Sequence, residues 1–262
     1  MDDIVRSWPE EIKKTAKELT PCTSNHFDRG EGRLLCSERR EIFHTTVAKC
    51  LFIGNRSRPD TLPTVSLLTS RVQEPNEDDW KKARRLIQYL CNTKKLHLVL
   101  QWDGTRIARW HVDAAFAVHK DFKSHSGGLV LLHDDGGCIV AGSTRQKINT
   151  RSSTVAELVA VDDFLSKIIW LKKFLQGLGY GLRQNILFQD NTSAIIMQKN
   201  GRNCLGKRNR AIDIRYFAIK DHVDSGDIEI KHCGTNNMVA DFMSKGLQGK
   251  KFLEFRKLIL GM

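Results

Sequence analysis

No two of the seven cysteines stand as Cys-x-x-Cys, which argues against zinc ribbons and against a disulfide framework. Reduced thiols in an intracellular setting fit better. No apolar run approaches the roughly 20 residues that a bilayer span needs, and Met1-Asp2-Asp3-Ile4 is no signal-peptide core. No internal repeat appears. There is no basic tail either: the surplus of 42 Lys and Arg over 30 Asp and Glu is spread along all 262 residues. A positive field over the whole chain favours a polyanionic partner such as nucleic acid, although a merely soluble basic protein has the same balance. With 40% hydrophobic and 27% charged residues the chain can bury a core, in one domain or two.

The hydrophobic pattern divides the chain near residue 100. Ser7 caps a helix expected to reach Leu19, with Pro9 in its first turn. Residues 20–37 are turn-rich and read as a loop. From 38 to 96 the apolar spacing is helical (Phe43, Val47, Leu51; Val65, Leu68, Val72), interrupted at Arg58-Pro59-Asp60 and at Pro75-Asn76. From about 105 the period changes. Residues 106–113 alternate, which puts Ile107, Arg109, His111 and Asp113 on one strand face. Residues 127–133 and 137–142 flank Asp134-Asp135-Gly136-Gly137, a hairpin signal. Leu158, Val161, Leu165, Ile168, Leu171 and Leu175 mark a long helix that Gly177 and Gly179 end. Strands follow at 185–190 and 227–232. Between them the pattern gives a helix from Thr192, a basic loop over 201–210 and a helix over 212–224. Helices near 237–245 and 250–260 close the chain. Three strands, a helix, then strands separated by helical crossovers imply a mixed sheet covered on both faces, an α/β fold.

Four acids fall at positions where side chains converge in such a sheet: Asp113 at the end of the first strand, Glu157 in the first turn of the long helix, Asp190 after the fourth strand and Asp241 on a late helix. Clustered carboxylates repel unless a hard cation neutralises them, and carboxylates without a Cys or His pattern suit Mg²⁺ or Mn²⁺. Any one of these acids alone serves equally well as a strand-end or cap residue.

Residues 113–120 (DAAFAVHK), 151–161 (RSSTVAELVAV), 189–196 (QDNTSAII) and 239–248 (VADFMSKGLQ) resemble the ribonuclease H domain of copia-type retrotransposon Pol polyproteins. Upstream, 56–60 (RSRPD), 74–80 (EPNEDDW) and 86–94 (LIQYLCNTK) resemble the C-terminal end of the reverse transcriptase in the same polyproteins. The resemblance covers nearly all the chain from about residue 39. It implies an RNase H-like mixed five-stranded sheet flanked by helices over 101–248. A mostly helical reverse transcriptase remnant is expected over 1–100, and a helical tail over 249–262. It implies hydrolysis of the RNA strand of RNA–DNA hybrids with two Mg²⁺ ions, Mn²⁺ being a possible substitute. Asp113 would bridge the metals, Glu157 and Asp190 would ligate, and Asp241 would hold the second metal. The partners implied are the hybrid and the missing polymerase part of the polyprotein, with no membrane. The setting is cytoplasm, nucleus or a virus-like particle.

The polymerase hairpin Tyr-x-Asp-Asp is missing, so no DNA polymerisation is expected. Val161-Asp162-Asp163 imitates it only in letters, because these residues fall inside the long helix. Val155, Ala211 and Ser244-Lys245-Gly246 depart from the family pattern, which usually has Glu, His and Thr-Lys-Pro there. Arg145, Lys147, Arg151, Lys207, Arg208 and Arg210 are candidates for phosphate contacts, and Ser152, Ser153 and Asn191 for sugar or phosphate contacts; surface solvation and helix capping account for them equally. His232 reads as a strand-end residue, with a role in proton transfer or product release as the alternative; His111, His119, His125 and His133 make no metal signature, and Trp102, Trp110 and Trp170 are expected to pack. Two other functions stay open: an inactive nucleic-acid-binding remnant and a related DNA nuclease of the same fold.

Overall fold

The computed structural model describes residues 1–10, 12, 20–28, 30–201 and 218–262. The basic loop with Lys207, Arg208 and Arg210, the altered position Ala211, and most of the helix expected up to Leu19 lie outside them.

The sheet forms where the alternation begins. Strands β1 (Ile107–Ala115), β2 (His125–Leu131), β3 (Val140–Arg145), β4 (Gln184–Gln189) and β5 (Glu229–His232) lie in the order β3-β2-β1-β4-β5. The first three are antiparallel, and β4 and β5 run parallel to β1. This is the mixed five-stranded α/β sheet that the pattern implied. Both hairpin strands sit away from their expected positions, because the connection uses its backbone elsewhere. The Gly137 amide donates to Val99 O at 3.0 Å and the Cys138 amide to Ile259 O at 2.9 Å, so β3 starts only at Val140.

Helices cover both faces. The long α5 (Ser153–Gly177) is capped by Ser152, whose side chain accepts from the Val155 amide. With α7 (Ala218–Asp224) it packs on Trp110, Val112, Val130 and Leu187. Gly128 makes this possible: a Cβ there would lie 2.8 Å from the Phe164 ring. α6 (Thr192–Asn200) follows β4, capped by Asn191. On the other face lie α8 (Asp241–Ser244) and α9 (Gly249–Leu260). They share a core (Leu129, Leu131, Phe242, Phe252, Ile259) with Leu62 and Tyr89 from the N-terminal helices.

Those helices are α1 (Asp2–Ser7), α2 (Ser37–Arg56), α3 (Leu62–Thr69) and α4 (Glu77–Asn92), with a 3-10 turn at Pro59–Thr61. Ser7 ends α1 and bonds back to Ile4 O, and Trp8 after it is extended, so Ser7 closes a helix where it was expected to cap one. At Asn76 a capping box starts α4: its side chain accepts from the Asp79 amide at 3.0 Å, and Asp79 returns to the Asn76 amide at 3.1 Å.

The loop over 20–37 carries more than the sequence indicated. His26 and Phe27 are buried against the sheet edge. Phe27 lies 4.9 Å from the ring of His119 and 4.7 Å from that of His125. His119 Nε2 is 3.1 Å from His125 Nδ1, and His125 Nε2 is 2.7 Å from Ser143 Oγ. Neutral imidazoles satisfy both bonds in either direction: both rings donate from Nε2, or His125 donates from Nδ1 to His119 and accepts the Ser143 hydroxyl at Nε2. Burial holds His26 and His119 down at about 4 and His125 well below its ordinary value. Arg71 and Lys82 disfavour charge on His26, Arg71, Arg145 and Lys123 disfavour it on His119, and Asp121 alone favours it there. A His whose value falls on folding gives stability that is complete above about 6.5 and is lost as pH falls towards 4. For His26 the full loss is on the order of 3 kcal/mol. Chemical denaturation between pH 7 and 4 is expected to show falling stability that His119→Gln flattens. An unchanged slope in that variant would remove the pair from the account.

Candidate metal and nuclease site

The sheet delivers its carboxylates to one edge. Asp113 lies opposite Gly127 in the β1–β2 register, two residues inside the strand end, because Ala114 and Ala115 still pair with Ser126 and His125. Asp190 follows directly on β4, which runs parallel to β1. Glu157 sits early in α5, over the end of β1. Ligand oxygens of Asp113, Glu157 and Asp190 all lie within 4.8 Å of one another.

The electrostatics of this group are unfavourable without a cation. Asp113 and Glu157 are 2% and 4% exposed. Burial pushes Asp113 up; the Lys245 ammonium and the Ser244 hydroxyl pull it back, and Asp241 and Asp190 push it further up. Glu157 stands well above the ordinary carboxylate range, through burial first and then Asp113 and Asp190. Among the described residues, the buried Glu157 Oε2 has no hydrogen-bond partner. An unpartnered buried carboxylate oxygen between two other carboxylates fits a hard divalent cation.

Asp241 lies beside this trio in a different environment. Lys245 Nζ is 2.5 Å from its Oδ1 and 3.4 Å from Asp113 Oδ2. Lys251 Nζ is 2.6 Å from its Oδ2, and Ser244 Oγ donates to Asp113 Oδ2. Gly127 allows the approach: a Cβ there would lie 2.5 Å from the Ser244 backbone nitrogen. Ser244 stood out in the sequence only as a departure from a pattern, in which a lysine at the place of Lys245 is usual. The signal that places Lys245 is its spacing, four residues after Asp241, and nothing local identifies Lys251.

The softer candidates disperse. Ser152 and Asn191 cap α5 and α6, and Ser153 opens α5. Arg145 pairs with Asp121. Lys147 and Arg151 are exposed on the approach to α5. Asp162 and Asp163 lie inside α5, where Asp163 accepts a hydrogen bond from Ser126. His232 is an exposed end residue of β5. Trp110 is buried, as expected. Trp102 and Trp170 are not: Trp170 is 56% exposed and stacks at 4.9 Å on Phe174, on the solvent side of a turn whose Ile168 and Leu171 pack into the sheet core.

Over 220 residues, 84% of its length, the chain is 29% identical to the retrovirus-related Pol polyprotein from transposon TNT 1-94 of Nicotiana tabacum. Over 205 residues, 78% of its length, it is 30% identical to that from transposon RE1 of Arabidopsis thaliana. Both of these relatives are retrovirus-related Pol polyproteins of plant transposons. The chain spans only 16% and 14% of the length of these two relatives. This Pol homologue also aligns with the solved structure of an RNase H1 isolated from compost, at 17% identity and a TM-score of 0.38, over 53% of this chain and 92% of the other. No protein-family model matches it.

Proposed function

We propose that this chain is the ribonuclease H part of a copia-type Pol polyprotein and hydrolyses the RNA strand of RNA–DNA hybrids. The observation that carries the reading is the convergence of Asp113, Glu157 and Asp190 at one sheet edge, with a buried Glu157 oxygen left unpartnered. Magnesium held by these three carboxylates would supply Lewis-acid chemistry at the scissile phosphate. The chain's own residues do the rest. Burial of Asp113 and Glu157 keeps their oxygens from water and aims them at a common point. The Ser244 hydroxyl fixes the rotamer of Asp113, and Lys245 balances part of the local negative charge. The surplus of basic residues attracts the hybrid, and Lys147 and Arg151 are exposed before the helix that carries Glu157.

The test is cleavage of a labelled RNA–DNA hybrid with Mg²⁺, beside matched RNA–RNA and DNA–DNA duplexes. Asp113→Asn is expected to lower hybrid cleavage by roughly 10³-fold or more, with circular dichroism unchanged. Full activity in that variant would refute the assignment. Salt-sensitive hybrid binding without cleavage would support a remnant that keeps the fold and has lost the chemistry, and DNA-only cleavage a related DNA nuclease.

A further inference from the structure

Asp241 is the acid expected to hold a second metal, yet both of its carboxylate oxygens are already ion-paired, Oδ1 with Lys245 and Oδ2 with Lys251. Lys245 also reaches Asp113, so its ammonium stands between the two carboxylates that a second ion would have to bridge. We propose that the site takes one divalent ion, on Asp113, Glu157 and Asp190, and that the Lys245 ammonium is the built-in second cation between Asp113 and Asp241. The inference rests on the reading of the acid edge as the cation site of a nuclease.

Three observations carry it. The first is charge. Four carboxylates and two ammonium groups leave two negative charges, which a single divalent ion cancels; a second ion would leave a positive surplus. The second is space. Magnesium binds oxygen at about 2.0–2.1 Å in a near-ideal octahedron. An ion on Asp241 would have to displace, or stand directly beside, the ammonium nitrogens 2.5 Å from Oδ1 and 2.6 Å from Oδ2. The third is anchoring. Lys245 follows directly on α8, whose backbone is pressed against Gly127 and whose Ser244 is bonded to Asp113. Lys251 comes from α9, and its ammonium lies 5.2 Å from the Phe255 ring centre. Glu157 Oε2, by contrast, has no partner among the described residues. The trio is open to an ion, and the place beside Asp241 is taken. A hybrid phosphate arriving there meets a lysine point charge, which donates hydrogen bonds to anionic oxygen.

The experiment counts Mn²⁺ bound to the full chain, by calorimetry and by loss of the free-ion paramagnetic resonance signal. Hybrid cleavage is measured on the same samples. Wild type is expected to bind one equivalent, and Asp190→Asn to lose it. Asp241→Asn and Lys245→Arg are expected to keep it, and Lys245→Met/Lys251→Met to gain a second, weaker one. Circular dichroism establishes that each variant is folded. Two equivalents in wild type, one of them lost in Asp241→Asn, would overturn the lysine assignment. So would a double-Met variant that still binds only one. Two equivalents with hybrid cleavage would leave the nuclease reading standing without the lysine. One equivalent without cleavage of any substrate would leave the lysine standing without the nuclease. No bound ion in wild type would end both.

Discussion

Glu157→Gln is expected to raise the melting temperature of the cation-free protein while removing its response to Mg²⁺. The carboxylate is buried, repelled by Asp113 and Asp190, and short of one hydrogen-bond partner. Its protonation equilibrium gives the sign. A carboxyl group whose folded value is raised is stabilising below about 4.5 and loses that contribution as pH rises through the folded value. At neutral pH the ionised form therefore costs stability until a cation arrives. The amide keeps the shape and removes the charge. A gain of about 1–2 kcal/mol corresponds to roughly 2–8 °C for a chain of this size. In wild type, saturating cation is expected to add about 2.7 kcal/mol at a hundred times the dissociation constant, a gain that Gln forfeits. Thermal melts with and without Mg²⁺ decide the matter. A variant that melts lower than wild type without cation, or that Mg²⁺ stabilises equally, would show that Glu157 is structural.

Asp60→Ala is expected to cost about 3–5 kcal/mol, the range found when one partner of a buried pair is removed. Arg58 and Asp60 are 1% and 0% exposed. The guanidinium meets both carboxylate oxygens, Nε to Oδ1 at 2.9 Å and Nη2 to Oδ2 at 2.7 Å. Tyr89 donates to Oδ2 at 2.6 Å, and Arg58 also donates to Thr93 O and Oγ1. Without Asp60 the guanidinium remains buried with no counter-charge. The apolar double variant Arg58→Met/Asp60→Leu removes both charges and is expected to recover most of the loss. Urea denaturation of the single and double variants tests this. A double variant as unstable as the single would mean that packing, not the uncompensated charge, sets the cost.

Much of this architecture was legible because it repeats along the chain. The alternation of 106–113 and the three-four spacing from Leu158 to Leu175 are local signals, and both elements formed. The three carboxylates that converge were readable for the same reason: each sits at an element boundary, and parallel β1 and β4 bring those boundaries together. What escaped depends on contacts between distant segments. Arg58-Pro59-Asp60 looked like a helix breaker, and its ion pair shows only when Tyr89 and Thr93 close over it. His26, Phe27, His119 and His125 come from a loop and a hairpin that nothing local connects. Lys251 reaches Asp241 from a separate helix. The hairpin strands shifted because the amides of Gly137 and Cys138 answer to Val99 and Ile259, a competition invisible within the hairpin itself.

The position of α9 also bears on how the chain is made. Its Phe252 and Ile259 share a core with Leu62 and Tyr89, and Leu260 O accepts the Val99 amide at 2.8 Å. The N-terminal helices emerge from the ribosome long before residue 260 has been joined. Until then Leu62 and Tyr89 lack that cover, and the turn at Gly137 lacks its anchor. Non-local contacts of this kind are slow to close and leave apolar surface exposed during synthesis. Packing of the N-terminal helices is therefore completed only after the last helix has been translated, so nascent chains that stall before it carry an open hydrophobic face for chaperones or proteases to find.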